Sequence, residues 1–150
     1  MNPISDYYEV IESAVAQLGI DPSTCRSEEE EGTWHLAKGD ITVIVHVWML
    51  AEGDEEVPYI MVFSPLYPVG DHLPKSFYED LLTLNHTMVG TSFTIHDGAF
   101  MLRSVREALN IDESEMLRML HRVGNYAEEY VPALTARYFT DAQAAPDDNM

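Results

Sequence analysis

The sequence predicts an α+β domain, an antiparallel sheet with helices packed on it, in the order α-β-β-β-α-β-β-α. Three observations predict it: apolar residues at helical spacing near both ends and in the middle, alternating runs between them, and two-residue turn signals joining those runs. The 150 residues suit one domain with one core, expected over residues 1–139. With 46% apolar and 10% aromatic residues, the chain has enough hydrocarbon to fold without disulfides or metals.

The first helix is read from Ile4, Tyr7, Tyr8, Ile11, Ala14, Val15 and Leu18, which recur on one face while Asp6, Glu9 and Glu12 fill the other. Ser5 is its expected N-cap and Gly19 its stop, with Pro22 preventing continuation. Residues 26–32, with Glu28 to Glu31, read as a solvated acidic loop, because adjacent carboxylates on a loop repel each other. Thr33 to Lys38 and Ile41 to Leu50 flank Gly39-Asp40, which fits a type II′ hairpin with glycine at its first central position.

That pairing fixes a register. Trp34 and Leu36 share a face with Ile41, Val43, Val45, Val47 and Met49, a nearly continuous apolar surface that is the core side. The opposite face carries Thr33, His35, Thr42, Ile44, His46, Trp48 and Leu50, which is too apolar to be simply wetted. Cover by a loop, a second subunit or a partner is therefore expected there.

After a Gly- and acid-rich loop at Ala51 to Glu56, a third strand is expected over Val57 to Ser64, where Tyr59, Met61 and Phe63 alternate with Ile60 and Val62. Ser64-Pro65 is its expected end, because proline cannot donate to a ladder. Pro68, Gly70 and Pro74 mark an irregular connection to a second helix over about Lys75 to Met88, with Phe77, Tyr78, Leu81, Leu82 and Leu84 in register. Ser92 to His96 and Ala99 to Val105 form a second hairpin about Asp97-Gly98. Asp112 with Glu115 three residues on is a capping-box start to a long helix. Its stripe is Met116, Leu117, Leu120, Val123, Tyr126, Ala127, Tyr130, Leu134 and Tyr138, with Pro132 inside as a candidate kink. Residues 140–150 have the composition of a flexible acidic tail.

Charge restricts function. The chain holds 26 Asp plus Glu against 8 Lys plus Arg, a formal net charge of −18. Nucleic acid and anionic membrane surfaces are poor partners, since both draw affinity from clustered Lys and Arg. The acids are scattered and Lys occurs only at Lys38 and Lys75, which fits adaptation to a salty cytoplasm better than a patch steering a basic partner. The start of the sequence has no basic segment followed by an apolar one, and the most apolar window is about half the ~20 residues a membrane span needs, so a cytoplasmic protein is expected. Cys25 is alone and reads as an ordinary thiol.

Several segments together resemble the YbjN family, whose fold is like that of the type III secretion chaperones. They are Trp34-His35-Leu36 before a β-branched run, Phe63-Ser64-Pro65, Leu81-Leu82-Thr83-Leu84-Asn85, Phe93-Thr94-Ile95 before Asp97-Gly98, and Arg122-Val123-Gly124-Asn125-Tyr126-Ala127. The resemblance spans roughly residues 5–139. It implies protein binding, often as a homodimer, with a role in sensory or regulatory processes, and no reaction.

No catalytic motif competes with that expectation. The six histidines, at 35, 46, 72, 86, 96 and 121, include no short pair of the kind metal sites use. His35 and His46 are diagonal neighbours across the first hairpin, ~7 Å apart by strand geometry, but lack a third ligand and are better read as half-exposed strand residues. Glu52-Gly53-Asp54-Glu55-Glu56 lacks the ligand pattern of a calcium loop, and neither Ser64 nor Ser92 sits in a nucleophile elbow. No cofactor and no metal are expected.

Asn85 stands in an apolar helix and has two readings, a hydrogen bond to a partner backbone or a cap on the connection to the second hairpin; the cap is favoured. Met88, Met116 and Met119 read as core and not as an adaptable groove. The expected function is non-enzymatic protein binding through Ile44, His46, Trp48, Leu50 and Asn85. The alternative is a sensor holding an apolar metabolite between sheet and helices near Trp34, Trp48, Tyr59 and Phe63. An enzyme ranks third, since it would need a pocket joining His35, His46 or Asn85 to a buried carboxylate.

Overall fold

A computed structural model describes residues 4–70 and 72–139. The expected tail at 140–150 lies outside the described residues. The elements are α1 (Ser5–Gln17), a single 3-10 turn (Pro22–Thr24), β1 (Thr33–Lys38), β2 (Ile41–Glu52), β3 (Glu55–Pro68), α2 (Lys75–Thr87), β4 (Ser92–His96), β5 (Ala99–Glu107) and α3 (Glu113–Tyr138). The five strands form one antiparallel sheet in the order β1-β2-β3-β5-β4.

The first hairpin has the register its turn demands: Trp34 pairs with Val45 and Leu36 with Val43, and Gly39 takes a φ of +61° at the first central position of the turn. Because side chains alternate, this sends Trp34, Leu36, Val43, Val45 and Val47 to one side of the sheet, where all five are buried. Ile60, Val62, Leu102 and Phe93 join them from the other strands.

All three helices lie against that side. Tyr7, Ile11, Ala14 and Val15 of α1 and Met116, Met119, Leu120 and Val123 of α3 close one lobe of the core over β1 and β2. Phe77 and Leu81 of α2, with Ala127 and Leu134 of α3, close the other over Phe93, Phe100 and Leu102. α3 serves both lobes, which is why its stripe is long. Each fully buried large side chain here, such as Trp34 or Phe77, contributes roughly 1.5–3 kcal/mol.

Local rules explain most boundaries. α3 opens with the expected capping box: Asp112 accepts from the Glu115 amide and Glu115 accepts from the Asp112 amide. α1 ends in a Schellman arrangement, with Gly19 N–H donating to Ala16 and Ile20 N–H to Val15. Ser5 is not its cap; it is the first helical residue, and Ile4 holds the cap position without a side-chain bond.

β3 also departs from expectation. It runs past Pro65 to Pro68, with a register shift between them. The β2 ladder ends at the Ile44–Phe63 pair, so by Pro65 the strand has only β5 beside it and tolerates a missing donor as an edge strand does. At its start β3 reaches back to Glu55, because Gly53-Asp54 is a two-residue turn pairing Glu52 with Glu55 and not a longer acidic loop. α3 continues through the exposed Pro132 to Tyr138.

Candidate functional site

Among the described residues every helix lies on one side, and the second face of the sheet carries none. Its cross-strand rows follow from the register. Trp48 stands beside Tyr59 and Glu107; Thr33, His46, Met61 and Val105 form the next row; His35, Ile44, Phe63, Arg103 and Ser92 form the next, across all five strands. Leu50 pairs with Val57 at one end.

Ile44, His46 and Trp48 are half-buried, and Leu50 is 43% exposed. These four candidates share the open face. His46 and Trp48 stack with ring centroids 5.4 Å apart, and Trp48 stacks on Tyr59 at 5.9 Å, giving a continuous aromatic ridge. Thr33 Oγ1 lies 2.8 Å from His46 Nδ1 and fixes that ring. The Tyr59 hydroxyl donates to Glu52 Oε2 at 2.5 Å, and this bond to a carboxylate pushes its pKa up to about 12.

Asn85 is elsewhere. Its Oδ1 accepts from the Phe93 amide at 2.7 Å and its Nδ2 donates to the Phe93 carbonyl at 3.2 Å. The side chain thus imitates one residue of a neighbouring strand and binds α2 to the outer edge of β4. Of its two sequence readings, the geometry matches the structural one: both faces of the amide are engaged inside the chain.

The site expected for an apolar metabolite does not form as drawn. Trp34 is 2% exposed on the core side, whereas Trp48, Tyr59 and Phe63 lie on the other face, so period-two alternation separates them by the thickness of the sheet. The Trp34 indole N–H instead donates to Glu12 Oε2 at 2.9 Å. Glu12 also accepts two bonds from Arg26, at 2.5 and 2.7 Å; these bonds from Arg26, with that from Trp34, hold its carboxyl below the ordinary range despite partial burial. A separate groove of about 230 Å³ lies at the β1 edge of the core, where Leu18, Ile20, Leu36, Val43 and Leu120 surround Gly124.

His35 and His46 are diagonal across β1 and β2 as the register requires. Among the described residues no group of three or more His, Cys, Asp or Glu is placed to hold a metal ion, and no helix is long and apolar enough to cross a membrane.

Sequence reasoning did not place the β3 and β5 parts of the open face beside its β2 candidates. Val57, Tyr59, Met61 and Phe63 continue it on β3, and Met101, Arg103 and Val105 extend it on β5. The β3 part had a signal, since a two-residue turn at Gly53-Asp54 sets Tyr59 opposite Trp48. A second apolar surface lies at the opposite edge of the sheet, where Leu82 of α2 is 69% and Ile95 of β4 is 55% exposed.

No family model and no curated protein sequence matches the chain. Solved structures do. A chain of the ExsC–ExsE complex aligns at 18% identity with a TM-score of 0.63, over 89% of this chain and 97% of that one. A chain of the ExoU–SpcU heterodimer from the type III secretion system of Pseudomonas aeruginosa aligns at 17% identity and a TM-score of 0.57, over 85% and 97%. A chain of the HopA1–SchA chaperone–effector complex aligns at 12% identity and a TM-score of 0.58, over 88% and 99%. At such identities the likeness is one of fold, and the fold of this chain is that of the type III secretion chaperones.

Proposed function

We propose that this chain is a non-enzymatic protein-binding domain, chaperone-like or sensory and regulatory in role, that takes a protein partner onto the open sheet face through Ile44, His46, Trp48 and Leu50. One observation carries the proposal: among the described residues three helices share one side of a five-stranded sheet, and no helix covers the other side, which bears an aromatic ridge and aliphatic side chains. A large apolar face without its own cover marks an interaction surface. The structures of like fold support protein binding, since each is a complex of two named proteins and one is named a chaperone–effector complex. That support is by analogy, because function belongs to sites and not to folds.

The same proposal includes a place beside the YbjN proteins, on the sequence segments that resemble them, and a cytoplasmic location. It also includes a homodimer that pairs copies across the α2–β4 flank, where Leu82 and Ile95 are the exposed apolar groups. Asn85 serves that flank by holding β4 to α2.

The test is affinity capture from native extract with wild-type protein and with Trp48→Glu and Ile44→Asp. Loss of a central interface residue costs 2 kcal/mol or more, so a true partner should fall by about 30-fold with each variant. Equal capture by all three proteins would reject the face as the docking surface.

A second reading, a small apolar ligand, is favoured only by the groove at Leu36, Leu120 and Gly124. Its volume of about 230 Å³ lies below the roughly 300–1,000 Å³ usual for such sites. Native mass spectrometry of freshly purified protein would reveal the ligand as added mass.

A further inference from the structure

We propose that the open face selects a partner segment in which a carboxylate stands between apolar side chains, with the carboxylate seated over Arg103. This rests on the docking face proposed above and narrows what it takes.

The chain carries 26 acids against 8 Lys plus Arg, so an approaching carboxylate meets repulsion over most of the surface. Most cations are already neutralised: Arg26, Lys38, Lys75, Arg106 and Arg137 each form an ion pair. Arg103 forms none among the described residues; its Nη1 lies 3.7 Å from the Met61 sulfur. It sits inside the sheet on β5, between Phe63 and Ser92 in its row, with Met101 and Val105 two residues to either side on the same face. A cation with Met101 and Val105 along its strand and Phe63 across it fits an acid with apolar neighbours.

The surrounding charges favour the same ligand. His35, His46 and His96 line one shallow depression of about 350 Å³ with Arg103, and imidazoles add donors for an anion. One carboxylate, Glu30 from the loop before β1, reaches that depression. Asp97 is beside His96, with 3.2 Å between Nε2 and Oδ2. The remaining acids of the face lie toward its far end: Glu52 accepts from Tyr59, Glu55 pairs with Glu52, and Glu107 is four residues along β5 from Arg103, ~13 Å away and past the ~8 Å screening length of physiological salt. Arg118 and Arg122 also lack ion pairs among the described residues, but they stand on the solvent side of α3, away from the sheet face.

The experiment is selection of a displayed random 12-residue peptide library on the full chain, with deep sequencing of the pools. Wild type, Arg103→Gln, Trp48→Glu and the charge-matched control Arg118→Gln are run in parallel, and far-UV circular dichroism confirms that each is folded. Peptides retained by wild type and lost with Trp48→Glu should be enriched about 2- to 5-fold in Asp or Glu flanked by apolar residues, the gain expected of one exposed charge pair. Arg103→Gln should abolish that enrichment and Arg118→Gln should keep it. A Trp48-dependent pool without acid enrichment, or one whose enrichment survives Arg103→Gln, overturns the inference and leaves the docking face standing. Absence of any Trp48-dependent pool overturns both.

Discussion

Replacing Asn85 by alanine removes the two bonds that join α2 to the backbone of β4. The bonds measure 2.7 and 3.2 Å, and both end on Phe93, which is 6% exposed. A net loss of ~1 kcal/mol per hydrogen bond gives ~2 kcal/mol, rising to ~3 kcal/mol if the freed amide and carbonyl stay dry. For a chain of this length that corresponds to a melting temperature lower by about 4–12 °C. Urea unfolding should show the same loss as a lower midpoint with an unchanged slope. Asn85→Asp sharpens the test. Above its pKa the aspartate sets a charge against the Phe93 carbonyl; below it, the neutral carboxyl can donate and accept as the amide does. Its folded pKa is therefore raised, and its deficit against wild type should shrink as pH falls from 7 toward 4. If Asn85→Ala unfolds within ~0.5 kcal/mol of wild type, Asn85 is not holding this edge and the partner-contact reading returns.

Glu12→Gln should flatten the acid limb of stability. The Glu12 carboxyl is held low by Arg26 and Trp34, so its contribution is present above the unfolded carboxylate pKa and is lost as pH falls through the folded one; because Arg26 is largely exposed, urea midpoints at pH 7 and pH 3 should register an effect of only about 0.5–1 kcal/mol. Gly32→Ala should cost ~1–3 kcal/mol by thermal unfolding, since Gly32 has a φ of +80° and an added Cβ would stand 3.0 Å from the Val47 carbonyl oxygen. Ser64→Ala should raise stability by up to ~1 kcal/mol, because Ser64 is 1% exposed and its hydroxyl has no partner among the described residues. Leu82→Gln should leave unfolding within ~0.5 kcal/mol of wild type yet shift light-scattering mass from dimer to monomer; an unchanged mass removes the α2–β4 flank as the self-association surface.

What could be read from sequence was governed by contacts between near neighbours. The Gly39-Asp40 turn fixes the first hairpin, and the hairpin fixes which side of β2 is core, so four of the five candidate residues fall together on the open face. The Asp112–Glu115 box and the Met116-to-Tyr138 stripe depend only on residues three or four apart. The pairing of β3 with β5 joins segments about 40 residues apart through α2, and nothing in either strand's alternation announces it. Arg103 escaped notice for that reason: its place beside Phe63 exists only once β5, and not β4, lies next to β3. Pro65 misled because the rule against proline in a ladder presumes a partner on both sides, and the pairing of β3 with β2 has already stopped at Phe63. The Glu12–Trp34 bond, between residues on a helix and a strand, is likewise a product of packing.

Site-specific photo-cross-linking in the native host asks directly whether the helix-free face is where another protein sits. A benzophenone side chain at position 44 or 48 should capture a second protein, while one at the exposed loop residue Leu109 should capture none. Silent positions 44 and 48 alongside capture from Leu109 would contradict docking on the sheet.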